Sequence, residues 1–436
     1  MNASFDITKR NLRFNQKPLI LTFVSSLVSD NLINEVIKGL NNSENKTIEQ
    51  AIINGSVSKT NNQEQMISFL LSGNCILEYD GIYYIIEVKN YPSRGIQEPE
   101  TEKTVRGSKD GFVENIITNV GLIRRRINDQ NLMMKMLQVG KISKCNVCVS
   151  YLENKVNQKL LDLIVERLNQ IEIDDLSMSD RALEEVFIHQ GYHPFPLVRY
   201  CERPDITATH IMSGHIAIIV DTSSSAILIP LSLFDLMAHV EEHRQPPIIG
   251  SALRLIRTFA IFISIYFIPI WIMMLQIPNL ERLILKSPIS DYQFTNIIFE
   301  IVLLELSFEI LRVATIHTPS ALSNAIGLVS AILLGQLAVD IGIFLPEVLL
   351  YGSIAVLSGF ATPNYELSLA NKLVKWFLII GVILFGGYGF VVANFLLIMY
   401  LMHLKVFNQY YLYPLIPFND ELFFDYVIRK PKRETY

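Results

Sequence analysis

Cysteine is scarce, with four residues in 436. Cys75, Cys145, Cys148 and Cys201 are too few and too scattered for the disulfide framework of a small secreted domain. Cys145 and Cys148 form one C-x-x-C, but no second pair completes a tetrahedral zinc set. Their segment, Lys144 to Tyr151, alternates like a strand, and strand positions three apart face opposite ways. Buried reduced thiols are therefore expected, with neither metal nor cofactor. Charge is scarce too, at 18% of residues. A net charge of −5 gives no general reason to expect nucleic acid as a partner. Motifs of common enzymes are missing: there is no G-x-x-x-x-G-K-[ST] phosphate loop, no G-x-G-x-x-G and no G-x-S-x-G elbow.

The charges are unevenly spread. Residues 1–250 hold 25 Lys and Arg and 30 Asp and Glu, whereas residues 251–436 hold 12 and 12. Length alone suggests about three domains. The pattern suggests an α/β N-terminal region, in two subdomains at 1–138 and 139–250, then an α-helical polytopic membrane domain at 251–405 and a cytosolic tail at 406–436. Residues 1–18 are polar and carry no secretory signal, so the N-terminal region is expected in the cytosol. The apolar run Leu19 to Val28 reads as a core helix, and the Asn-rich stretch Asn41 to Asn62 as a loop. Asp80-Gly81 between Ile76–Tyr79 and Ile82–Val88 predicts a hairpin. Helices are predicted at 112–127 and 155–171, and strands at 146–151, 216–220 and 226–229.

Beyond residue 251 the apolar runs are long enough to cross a bilayer of about 30 Å. Thr258 to Leu280 is uncharged, as is Val313 to Val339; Val348 to Tyr365 follows. Trp376 to Leu404 is interrupted at Gly381, Gly386, Gly387 and Gly389, which predicts either two short helices or one long tilted one. Lys and Arg beside these runs (Arg254, Arg257, Lys372, Lys375, Lys405 and the tail) place both termini inside. Crossings are then even in number, four or six; six requires Phe294 to Leu311 to cross.

That last segment carries Glu300, Glu305 and Glu309. Charge within a bilayer is costly and usually faces a partner, a cavity or an ion path. Glu305 and Glu309 share a helix face, and Gln336 and Asp340 share another, so these four are candidate ion-path residues. The alternative is interfacial, with Glu309 pairing Arg312 and Asp340 at a helix end in water. Gly327, Ala331 and Gly335, spaced by four, mark a candidate helix–helix contact. His239-Val240-Glu241-Glu242-His243 fits the inverted zinc-protease pattern H-x-x-E-H, but Gln245-Pro246-Pro247 ends that helix at once and no third ligand is marked. We expect no enzyme. Arg124, Arg125 and Arg126 are consecutive and diverge on a helix, so ion pairs with acidic neighbours are expected rather than one anion patch.

Three stretches carry a resemblance. Residues 92–127 (PSRGIQEPETEKTVRGSKDGFVENIITNVGLIRRRI), 194–221 (PFPLVRYCERPDITATHIMSGHIAIIVD) and 361–377 (ATPNYELSLANKLVKWF) resemble, in order, the hallmarks of the A-type subunit of the GerA family of spore germination proteins. The segments VDTSSSAILIP, VEEHRQPPIIG and YELSLANKL, with Thr315-Ile316-His317-Thr318-Pro319, resemble a stage V sporulation branch rather than the nutrient-receptor subunits. The resemblance implies a protein of the inner spore membrane, expected to form a homo-oligomeric ring around an ion path and to amplify ion release with other spore-membrane germination subunits and lipid as partners. Arg106 and Glu114 in the first hallmark, and Glu202, Arg203 and Asp205 in the second, are candidate assembly contacts.

Overall fold

Asn15 and Gln16 both take positive φ, 47° and 64°, so the chain reverses tightly between strand β1 (Ile7–Phe14) and strand β2 (Lys17–Val24). In the computed structural model the described residues are 4–42, 47–52, 57–88, 107–142, 144–173, 179–188, 191–277, 294–316, 335, 337–407 and 409–429. They form two compact units, Met1–Tyr192 with Leu197–Leu231, and His193–Pro196 with Ser232–Tyr436.

The first unit holds two antiparallel five-stranded sheets. One has the order β1-β2-β4-β5-β3, with β3 at Val57–Thr60, β4 at Asn74–Tyr79 and β5 at Ile82–Glu87. Asp80 and Gly81, at φ 53° and 77°, make the predicted hairpin. Helices α1 (Asp30–Asn41), α2 (Ile48–Ala51) and α3 (Gln63–Leu71) accompany this sheet. Two expectations are corrected here. Leu19 to Val28 is not a helix: Leu19, Leu21 and Phe23 alternate inward with Ile20 and Thr22, the period of a strand, and only Ser25–Leu27 makes a helical turn. The Asn-rich stretch contains α2 and the edge strand β3, which pairs with β5.

The other sheet has the order β6-β7-β9-β10-β8, from Leu132–Val139, Cys145–Leu152, Ile216–Val220, Ala226–Ile229 and Arg199–Cys201. It begins at Leu132, so the expected division at residue 138 runs through β6. Helices α4 (Ile116–Arg126), α5 (Gln158–Asn169), α6 (Ser179–Ile188) and α7 (Pro204–Met212) complete the unit. Helix α4 starts four residues later than its apolar pattern because Asn115 caps it, accepting from the Thr118 amide. The arginine triplet ends it, and its members diverge as expected. Arg124 is fully buried and pairs with Asp6 at 3.0 Å, while Arg126 pairs with Asp110. Ser4 links the same cluster to the β6 edge, since its hydroxyl accepts from Met134 N–H and from Arg124.

The second unit is helical: α8 (Leu233–Met237), α9 (Val240–Arg244), α10 (Pro247–Leu275), α11 (Phe294–Ile316), α12 (Pro346–Gly359), α13 (Tyr365–His403) and α14 (Asp420–Val427). A single helical turn lies at Ala338–Asp340, and a two-residue ribbon, β11 (Lys405–Val406) and β12 (Gln409–Tyr410), follows α13. Among the described residues, α10 and α13 are long and apolar enough to cross a membrane, and α12 is apolar but shorter. Helix α8 and α9 precede the expected boundary at 250 yet belong to this unit. The core joins Ile268, Trp271 and Ile272 of α10 to Ile297, Ile301 and Leu304 of α11, Val348 and Ala355 of α12, and Ile379 and Val382 of α13.

Helix α13 is two helices. Gly386 has φ 60° and ψ −140°, and the chain folds back on itself there. Residues 381 and 389 would lie about 12 Å apart along a straight helix, yet a side chain on Gly389 would collide with the Gly381 carbonyl. The break frees the Val382 carbonyl, which accepts from Gln276 Nε2 at 3.2 Å. The glycines that interrupt the apolar run thus permit both the reversal and the close approach of its arms.

Candidate functional site

Helix α11 carries three acidic side chains, Glu300, Glu305 and Glu309, within an apolar stretch. A helix advances 100° per residue, so Glu305 and Glu309 present themselves together and Glu300 points elsewhere. Glu300 is buried, and its Oε2 accepts from the Leu345 amide at 2.8 Å. Leu345 is the N-cap of α12, where orphan N–H groups favour a carboxylate. Glu300 is thus occupied in starting α12.

Glu305 and Glu309 face the first arm of α13. Lys375 Nζ lies 2.5 Å from Glu305 Oε1, with the two side chains 4% and 9% exposed. Lys372 Nζ lies 2.6 Å from Glu309 Oε2, and Arg312 pairs with the other oxygen of Glu309. The earlier glutamate meets the later lysine, so α11 and this arm run antiparallel. The pairing also changes how the lysines are understood: in sequence Lys372 and Lys375 mark a membrane edge, whereas here both turn inward to α11. The sequence signal for this was the spacing itself, a Glu pair four apart and a Lys pair three apart within apolar segments. Asn371, one turn before Lys375 on the same face, is buried and its Nδ2 has no hydrogen-bond partner among the described residues.

The other candidates are dispersed. Asp340 ends the short helical turn and is exposed; Gln336 lies outside the described residues, as do Gly327, Ala331 and Arg106. At Gly335 an added Cβ would meet nothing within 4 Å. Among the described residues, close packing at small residues occurs at Gly381, Gly389 and Ala393, and where Leu304 of α11 sits against Gly352 of α12. In the first unit, the two hallmark stretches are stitched together. Arg203 donates to both oxygens of Asp205, at 3.0 and 2.8 Å, and to the Ser108 carbonyl. The Phe112 amide donates to the Glu202 carbonyl, and the Thr222 amide to that of Glu114, whose side chain is exposed.

A second cluster surrounds the H-x-x-E-H pattern. His239 is the N-cap of α9, its Nδ1 accepting from the Glu241 amide. Glu242 is fully buried between Arg254, at 2.8 Å, and Arg257. Arg254 also donates to the Asp425 and Tyr426 carbonyls at the end of α14, and Arg429 donates to those of Glu242 and Gln245. Tyr426 donates to Asp235. The acidic member of the pattern is therefore engaged by arginines that tie α14 to the start of α10, a role the sequence did not mark. Among the described residues no group of three or more His, Cys, Asp or Glu is placed to hold a metal ion. Cys148 is buried on the face of β7 opposite Cys145, and burial pushes its thiol up to about 12.

Comparison with known proteins adds a whole-chain relationship. The family model described as Bacillus/Clostridium GerA spore germination protein matches residues 1–435. Stage V sporulation protein AF of Bacillus subtilis (strain 168) is 40% identical over 444 residues, spanning 99% of this chain and 90% of that one. Spore germination protein KA of the same organism is 26% identical over 450 residues, with 99% and 82% covered. The crystal structure of the N-terminal domain of the A subunit of the Bacillus megaterium spore germinant receptor GerK3 aligns with 52% of this chain and 88% of its own, at 23% identity and a TM-score of 0.38. A match along almost the whole length, through all three hallmark stretches, makes this chain a member of the GerA family of spore germination proteins.

Proposed function

We propose that this protein is a multi-pass subunit of the inner spore membrane that assembles as a ring of like copies and gives cations a route out of the spore core during germination. The carrying observation is the Glu305–Lys375 pair, nearly inaccessible between two helices whose sequences are mostly apolar. Removing two charges from water is expensive, and apolar residues of similar volume pack as well or better. Charges kept at such a place point to a role other than stability. The outer surface supports a lipid setting: Ile256, Phe259 and Phe262 on α10, and Phe385, Tyr388 and Phe395 on α13, are all exposed, an apolar area too large for a protein surface in water.

The described helices supply four crossings, one each from α10 and α11 and two from α13. Helix α11 has 23 residues, about 34 Å at 1.5 Å each. The higher identity to Stage V sporulation protein AF than to Spore germination protein KA favours amplification of ion release over nutrient sensing. In this reading Glu305 and Glu309, repeated around a ring, present carboxylates to the path when their pairing with the first arm of α13 opens, and a carboxylate ring favours cations.

Flux measurements in proteoliposomes test this. The purified chain should release potassium, and Glu305→Gln with Glu309→Gln should lower cation flux or selectivity while the assembly keeps its size. A chain that assembles but passes no ion is a scaffold, and the proposal fails.

A further inference from the structure

The carboxylates of α11 are not equivalent. Glu309 is 39% exposed and has two cationic partners, Lys372 and Arg312. The Glu305 side chain is only 9% exposed and has one among the described residues, the ammonium of Lys375. Removing Lys372 would leave Glu309 compensated by Arg312. Removing Lys375 would leave a nearly inaccessible carboxylate with no counter-charge among the described residues, a state costly enough to draw a cation from solution. The Asn371 amide, buried, on the same face of α13 as Lys375 and without a partner for Nδ2 among the described residues, adds a second polar group to this seam; a buried amide left unpaired carries a desolvation cost that an entering ion with its water would relieve.

We propose that Lys375 is a tethered counter-cation: its ammonium occupies at Glu305 the position of a permeating monovalent cation, and its withdrawal opens that site. This rests on the ion-path reading above and names the residue that sets occupancy and specificity. The charge balance selects a monovalent ion. One carboxylate against one ammonium is neutral, and a divalent ion in place of the ammonium would leave an uncompensated charge where water is excluded. The lysine is attached through a flexible stem, so it can leave Glu305 without leaving the protein, whereas a rigid group could not. Separation of α11 from the first arm of α13 would withdraw it, because the two partners belong to those two helices.

The full chain in potassium-loaded proteoliposomes tests the assignment, with assembly followed by size-exclusion. Lys375→Met is expected to raise basal potassium flux several-fold over wild type. Lys372→Met should raise flux less than Lys375→Met, because Arg312 still serves Glu309. Glu305→Gln combined with Lys375→Met should abolish the gain, because the attracting carboxylate is gone. Wild-type flux in an assembled Lys375→Met protein overturns the proposal, as does a gain that persists in the double variant, which would mark a packing leak. Should Lys375→Met not assemble, Lys375→Gln retains a donor to Glu305 and is read by the same criteria. Absence of flux from the wild type and every variant overturns the ion-path reading itself, and this inference with it.

Discussion

Arg203 is a buried cation whose side chain is 1% exposed, held by Asp205 and by the Ser108 carbonyl. Removing the guanidinium takes a donor from Asp205 and from the Ser108 carbonyl and empties a buried site, at about 1–3 kcal/mol. Arg203→Ala should therefore lower the midpoint of thermal unfolding and the amount of protein in the membrane fraction. Loss of ion selectivity at normal abundance would place the residue elsewhere. Glu184 of α6 offers a pH test. Its side chain is fully buried, and burial raises its pKa, opposed by the Tyr200 hydroxyl at 2.6 Å and by Arg181. A carboxyl raised in the folded state favours folding at low pH. That contribution is fully present below the ordinary glutamate value, near 4.3, and is lost as pH rises through the folded value. The wild type minus Glu184→Gln difference in unfolding midpoint should accordingly shift against the wild type from pH 4 to pH 8. A flat difference would mean that Glu184 titrates normally.

At the scale of elements, the α13 hairpin depends on glycine for two separate reasons. Gly386 supplies the backbone at φ 60°, and Gly381 and Gly389 let the arms touch. A Cβ on Gly381 would sit 3.0 Å from the Gly389 carbonyl oxygen and 3.2 Å from the Ala393 methyl. Gly389→Leu must push the arms apart and should cost at least the 1–3 kcal/mol typical of overpacking. The expected result is a loss of assembled protein on size-exclusion, with Gly387→Ala, which meets only the flexible Met273 sulfur at 3.7 Å, close to wild type. Equal behaviour of the two variants would remove the close approach from the account. The sequence made the glycine interruptions visible, together with the Asp80-Gly81 hairpin and the strands β7, β9 and β10, because each is written in local periodicity or turn chemistry. It misled at β2, where an apolar run of ten residues fits either period until its partner strand is known. For Glu305 and Glu309 it marked the shared face but not the partners: Lys375 and Lys372 lie 70 and 63 residues away. Pairing across such separations is set by how helices pack, which no local pattern encodes. The Glu242 cluster was missed for the same reason, since Arg429 comes 187 residues later.

At the scale of the second unit, the Glu242 cluster fixes topology more firmly than the count of basic residues does. Arg254 lies in the first turns of α10 and donates to carbonyls closing α14, and Ser251 accepts from the Arg429 amide at 3.0 Å. In the proposed multi-pass arrangement these residues lie just before the first crossing and just after the last, and two segments in contact cannot lie on opposite sides of a bilayer. The number of crossings between them must be even. In that arrangement the α13 hairpin would contribute two and return the chain to the side it left, and α11, antiparallel to the first arm, would end where that arm begins. Several arginines and lysines that would otherwise be taken as free anchors in lipid headgroups are spent in these contacts: Arg254 and Arg257 on Glu242, Lys375 on Glu305. Reporter fusions at Tyr436 and inserted after Gln245 should thus give the same cytosol-facing signal, and so should one at Met1 if the first unit stays on that side. Arg254→Ala together with Arg429→Ala should release the C-terminal segment and make it more sensitive to protease added from that side, without inverting the reporters. Opposite signals from Gln245 and Tyr436 would break the argument at its base, because the contact between α10 and α14 could not then exist in the membrane.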